Sequence, residues 1–159
     1  CSCMCNNKIT CLAIDNWKFL GGPKEEFILN FNKYKDKNIA SFIESDCWNV
    51  NVTHLQLNYK FNIYMYDGNH DENSHHKALE YYLDCLDDIF IYLVDDWNWE
   101  KVRKGTMNSI NDNKLNILYQ KEIFTELDPG IQKSFNDWHN GLSIFILQKN
   151  RKNNSYDNQ

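Results

Sequence analysis

Three aspartates and a histidine stand where chemistry is easiest to build. Asp67 and His70 lie three apart in Tyr66-Asp67-Gly68-Asn69-His70, and Asp95 and Asp96 directly follow the apolar run Ile89–Val94. Carboxylates gathered at one edge suit a hard divalent cation such as Mg²⁺, with water and substrate oxygens completing an octahedron. Without a cation they repel and one of them holds a proton. The plain alternative is a solvated acidic rim. A histidine there titrates near neutrality and could act as a general base, or simply help to cap the helix that follows. Asp15, after Ile9–Ile14, could accept both hydroxyls of a ribose or cap a turn. Asp46 with Cys47 and Trp48 could frame an adenine, or close a strand-end turn over a buried ring. His75 and His76 could form a metal tract with His70, but they fall in the first turn of a helix and are expected to be exposed. His54 and His139 carry no special signal. Trp97 and Trp99 either line a substrate pocket or pack in the core.

These residues need strands to hold them, and the chain supplies strands. Phe61–Tyr66 and Ile89–Val94 bracket a segment in which Ala78, Leu79, Tyr82, Leu83 and Leu86 recur at helical spacing. A near-continuous apolar run is the mark of a buried parallel strand, and two parallel strands require a crossover of this length. Upstream, Ile9–Ile14, the helix Lys24–Tyr34 and the short strand Asn38–Ile43 repeat the pattern, with Gly21-Gly22-Pro23 as punctuation. Cys1–Asn7 reads as the end of a helix, and Asn49–Lys60 as a variable connection. Downstream, a helix over Val102–Ile110 precedes an alternating strand through Leu115, Ile117 and Tyr119. A turn at Asp128-Pro129-Gly130 and a last strand, Leu142–Leu147, follow. With no clear helical crossover between them, the last two strands pair antiparallel. The prediction is a doubly wound α/β sheet, mostly parallel with an antiparallel C-terminal edge. Four strands in it end in acids: Asp15, Asp46, Asp67 and Asp95. Open sheets of this kind bind ligands at the carboxyl ends of their strands, so these acids are expected to share one functional edge.

Bulk properties narrow the class. A length of 159 residues with 42% hydrophobic content supports one domain with a core, expected over residues 1–149, before a polar tail at 150–159. A net charge of −5 argues against a nucleic-acid backbone as partner. No apolar run approaches the length of a membrane span, and Cys1–Cys5 lacks the basic and apolar regions of a signal peptide; a cytoplasmic protein acting on a small molecule is expected. Cys1, Cys3, Cys5 and Cys11 crowd together, but no second matched pair completes a zinc pattern. All six cysteines are read as free thiols.

The segments Ile14-Asp15-Asn16-Trp17, Glu44-Ser45-Asp46-Cys47-Trp48, Tyr66-Asp67-Gly68-Asn69-His70 and Val94-Asp95-Asp96-Trp97 together resemble class I S-adenosylmethionine-dependent methyltransferases. More narrowly they resemble the macrolide-sugar and aminocoumarin-sugar O-methyltransferases. The resemblance covers about residues 1–149 and implies a Rossmann-like fold. It implies that Asp15, with Asn16 and Trp17, binds the cofactor ribose, and that Asp46, with Cys47, binds the adenine end. Asp67 would serve both cofactor and metal; Asp67, Asp95 and Asp96 would hold Mg²⁺; His70 would be the base. Some relatives carry an acid after the glycine of the third motif, where this chain has Asn69. The family's first strand and glycine-rich loop would lie before Cys1, so the 159 residues are expected to bind cofactor weakly by themselves.

The function expected is therefore Mg²⁺-assisted O-methylation of a hydroxyl on a small molecule or sugar. Two other classes stay open: a metal-dependent hydrolase built on the same aspartates, and a binding module that keeps the fold without the catalysis.

Overall fold

The computed structural model describes residues 9–18, 22–35, 39–58, 60–125 and 138–150. The chain divides into two compact units, Cys1–Asn51 and Val52–Gln159. The expected helix end at Cys1–Asn7, the turn at Asp128-Pro129-Gly130 and the tail from residue 151 lie outside the described residues, as does Gly21.

Among the described residues, the first unit contains one βαβ element. Strands β1 (Thr10–Asp15) and β2 (Ile39–Glu44) pair in parallel, with Thr10 opposite Ile39 and Asp15 opposite Glu44. Helix α1 (Lys24–Tyr34) makes the crossover, and its acidic first turn (Glu25, Glu26) suits the positive end of the helix dipole. Phe27 and Phe31, one turn apart, meet Phe42 of β2 at ring-centroid distances of 5.4 and 5.3 Å, and Trp17 joins them at 5.2 Å from Phe27. Lys24 closes the element through a 2.6 Å ion pair with Glu44. A short 3₁₀ turn, Cys47–Asn49, follows β2.

The second unit holds a four-stranded mixed sheet in the order β3-β4-β6-β5. Strands β3 (Phe61–Tyr66) and β4 (Leu86–Asp95) are parallel. Strand β6 (Leu142–Gln148) runs antiparallel between β4 and β5 (Asn116–Ile123), so the antiparallel C-terminal edge is present as expected. Helix α3 (Glu72–Tyr82) joins β3 to β4, and α4 (Glu100–Asp112) joins β4 to β5. The two helices approach closely at Gly105, where any Cβ would run into the carbonyl oxygen of Glu72. Tyr92, Phe90, Phe145, Leu147, Leu79, Val94 and Val102 are all buried to within 1%. Full burial of each such side chain is worth about 1.5–3 kcal/mol.

Several boundaries differ from the sequence expectation. Residues 49–60 are not merely a connection: they contain α2 (Val52–Asn58), whose Leu55 is buried. Helix α3 ends at Tyr82, and a 3₁₀ turn (Leu83–Cys85) carries the chain into β4 at Leu86, three residues before Ile89. Leu86 therefore belongs to the strand, and its burial there made it look like one more helical apolar position. Cys85 is buried, Cys11 and Cys47 are partly buried, and none of the three is in a disulfide. No helix among the described residues is long and apolar enough to cross a membrane.

Candidate active site at the carboxyl ends of β3 and β4

The site is built from two short connections in the second unit. After β3, Tyr66 turns sharply into Asp67-Gly68, where a Cβ on residue 68 would come within 2.6 Å of the Tyr66 ring. Asp71 then caps α3, accepting from the Ser74 backbone N–H at 2.9 Å and the Ser74 hydroxyl at 2.7 Å. Those bonds to the ionised form hold its carboxyl below the ordinary range. Asn69 Nδ2 donates to the same carboxylate at 2.6 Å. His70 sits between these two fixed points.

After β4, Asp96 adopts a left-handed backbone, φ 56°, a conformation that short polar residues tolerate better than most. The turn it begins is anchored from three sides. Asn98 N–H donates to the Asn140 carbonyl at 2.7 Å, and the Asn98 side chain donates to the Thr125 carbonyl at 2.9 Å. Arg103, from the first turn of α4, donates through Nη1 to the carbonyls of Trp97 and Asn98 at 2.7 and 2.6 Å. Asn140 and Gly141 are both left-handed, at φ 57° and 80°, and a Cβ on residue 141 would meet Asn98 Oδ1.

The functional groups converge on this frame. His70 Nε2 lies 2.7 Å from Asp96 Oδ2, and Asn140 Nδ2 donates to Asp96 Oδ1 at 2.8 Å. Asp95 Oδ1 accepts from the Asp96 N–H at 2.9 Å and from Trp138 Nε1 at 2.6 Å. Trp99 presents an edge-to-face contact to the His70 ring, centroids 5.1 Å apart. An open pocket runs along this side, lined by Asn69, His70, Asp71, Asn98, Trp99 and Lys101. The Asp67 carboxyl is pushed up from its usual range, first by desolvation, then by the neighbouring negative charges of Asp95 and Asp96, against a smaller opposing effect of His70.

Of the residues expected to bind a metal, Asp67 and Asp96 come together, and the third ligating atom within 4.8 Å of both belongs to His70 rather than Asp95. Asp95 is still near enough for its negative charge to help raise the Asp67 pKa, after desolvation. Trp97 is core, buried to 1% with its indole N–H on Glu122 Oε1 at 2.7 Å, while Trp99 lines the pocket. His75 corrects the sequence reading: it is buried, not exposed, 1% accessible, with its ring 5.0 Å from Tyr66. It lies one turn before Ala78 and Leu79, on the same helical face, and burial drives its pKa down to about 4. His76 is partly exposed and meets Asp112 at 2.9 Å. The residues missed from sequence are Asn98, Arg103, Trp138 and Asn140. Only the Asn140-Gly141 pair, a turn signature, offered a signal.

In the first unit, Asp15 ends β1 and its Oδ1 accepts from the Trp17 N–H at 2.7 Å. Asn16 caps Lys18 in the same way at 3.0 Å. Asp46 caps the 3₁₀ turn through Trp48 N–H at 2.9 Å. The turn-forming roles foreseen for both acids are thus realised, and Asp15 remains an exposed carboxylate at a strand end.

No family model matches the chain, and no curated protein does. Solved structures do. A protein described as a methyltransferase and determined with S-adenosylhomocysteine aligns with TM-score 0.53 at 13% identity, over 88% of this chain and 39% of its own. A protein from Thermoplasma acidophilum, also described as a methyltransferase, gives TM-score 0.55 at 11% identity, over 90% and 58%. One from Streptococcus mutans, described as S-adenosylmethionine-dependent, gives 0.55 at 12%, over 88% and 38%. The chain spans less than two thirds of each. The likeness establishes the fold: a mixed α/β, Rossmann-like architecture shared with these structures.

Proposed function

We propose that this chain, with the fold of the class I methyltransferases, takes part in S-adenosylmethionine-dependent O-methylation of a small-molecule hydroxyl, a sugar hydroxyl being the form suggested by the sequence resemblance. The observation that carries the reading is the acidic edge at the carboxyl ends of two parallel strands, where Asp67, Asp95, Asp96 and His70 converge beside an open pocket. Such edges are where open α/β sheets bind their ligands.

The residues fit the groups the reading requires. Asp15, with Asn16 and Trp17, is assigned to the cofactor ribose. Its carboxylate is exposed at a strand end and is of the right chemistry for two hydroxyls. Asp46, with Cys47, is assigned to the adenine. Asp67, Asp95 and Asp96 suit Mg²⁺, since a cation would relieve the repulsion that, after desolvation, raises the Asp67 pKa. S-adenosylmethionine supplies an electrophilic methyl group, and a divalent cation lowers the pKa of a bound hydroxyl. The protein's own part is to orient the acceptor and receive its proton. Asp96 accepts from His70 Nε2, leaving Nδ1 as the nitrogen free to take that proton in the metal-free protein. Proximity and alignment supply most of the rate.

The test is transfer of a labelled methyl group from S-adenosylmethionine to a panel of hydroxylated acceptors, with and without EDTA. Transfer that is lost in Asp67→Ala supports the reading. Absence of both S-adenosylhomocysteine binding and transfer would sink it. Transfer indifferent to EDTA would remove the metal and leave the rest.

A further inference from the structure

We propose that Asp67, His70 and Asp96 form a mixed oxygen–nitrogen site for a divalent metal ion, with His70 as a ligand through Nε2. The inference rests on the reading above that a cation sits at this edge, and it changes which cation. Three facts carry it. The ligating atoms of the three residues lie within 4.8 Å of one another. His70 Nε2 and Asp96 Oδ2 are 2.7 Å apart, close to the roughly 3 Å that separates two ligands bound at right angles about 2.1 Å from one ion. Asp67 is exposed and His70 only partly buried, so a small inward movement of those two side chains closes the set.

A fourth fact comes from outside the cluster. Asn140 is 7% exposed, and its Oδ1 is buried with no hydrogen-bond partner. Its Nδ2 faces Asp96, and a flip of the amide would set oxygen against carboxylate, so the orphan is the oxygen. A buried carbonyl oxygen without a donor is costly, and under this proposal a water bound to the ion supplies the missing donor to the amide that braces Asp96. Asp95 contributes no atom to that set, and its Oδ1 accepts two N–H groups.

A nitrogen ligand shifts selectivity. Carboxylate and water suit Mg²⁺, whereas imidazole favours ions further along the first transition series. A ligating Nε2 also places the ring proton on Nδ1, so in the metal-loaded protein His70 is a ligand and not the base.

The 159-residue chain should be titrated calorimetrically with Mg²⁺, Mn²⁺ and Co²⁺ in separate runs. Mn²⁺-loaded protein carrying ¹⁵N-histidine should then be examined by pulsed EPR. Expected are Co²⁺ binding at least about tenfold tighter than Mg²⁺ and a histidine-nitrogen coupling that disappears in His70→Gln. The variant's thermal unfolding shows that it is folded. Equal affinities with no nitrogen coupling, or a coupling that survives in His70→Gln, overturn the assignment and leave the three-carboxylate Mg²⁺ reading standing. No binding of any of the three ions at millimolar concentration overturns both metal assignments. Methyl transfer, read separately, then decides the rest.

Discussion

The two units are built on the same βαβ plan, yet they bury their side chains very differently. In the first, none of the described residues of β1, α1 or β2 is fully buried, and Phe27, Phe31, Phe42 and Trp17 cluster while remaining partly accessible. In the second, two more strands and a second helix close over β4, and Tyr92, Val94 and Phe145 lose all exposure. Aromatic content is therefore not what makes a core. A two-stranded sheet with one helix has one face to cover and too little to cover it with, whereas β4 has neighbours on both edges. The more tightly specified frame is also the one that carries the acidic edge. That fits the need for a site to be positioned by rigid elements.

The comparison can be broken directly. Phe145→Ala should cost about 3–5 kcal/mol, the usual figure for a buried phenylalanine. Phe42→Ala should cost about 1 kcal/mol, as for partly accessible positions. Both are read from urea unfolding, and equal losses would mean that the first unit is packed as tightly as the second.

His75 gives the next largest effect and acts only in the second unit. The fold holds it neutral, with a pKa lowered to about 4 from 6.5, chiefly by burial, with His70 adding to the shift and Asp71 opposing it. The unfolded chain therefore takes up a proton below pH 6.5 that the folded chain refuses until about pH 4. Stability should fall as pH drops through that window, by up to about 3 kcal/mol, and be independent of His75 above it. His75→Leu should flatten that part of the curve; an unchanged acid slope would show that the ring is solvated. Below His75 comes Arg103→Met, expected to cost about 2 kcal/mol through the two carbonyls it leaves. Melting temperature reads the loss, and hydrogen exchange should locate it in the Asp96–Trp99 turn rather than in β1 or β2.

What was legible in the sequence follows the same division of forces. Helix α1 and the strand ends were readable because apolar spacing and acidic stops are local signals. The order of β6 between β4 and β5 was not, since antiparallel pairing alone does not say which neighbour a strand chooses. Asp67, His70 and Asp96 were visible as chemistry. The role of Asn140, 44 positions from Asp96, exists only after β6 has docked. His75 was misread because helical position was judged by polarity rather than by counting back from Ala78.

The pair Asn140-Gly141 carries a chemical clock as well as a turn. An asparagine followed by glycine readily loses ammonia when the next amide nitrogen attacks the side-chain carbonyl carbon. Here the fold restrains that attack, because the Asn140 amide is buried and its Nδ2 is held on Asp96. If the restraint loosens, a neutral donor becomes a carboxylate facing another carboxylate, and the brace on Asp96 turns into repulsion. An ageing sample would then lose its site while keeping its fold. Peptide mass mapping of fresh and stored protein would detect the change at residue 140, and its absence after long storage would show how firmly the turn is held.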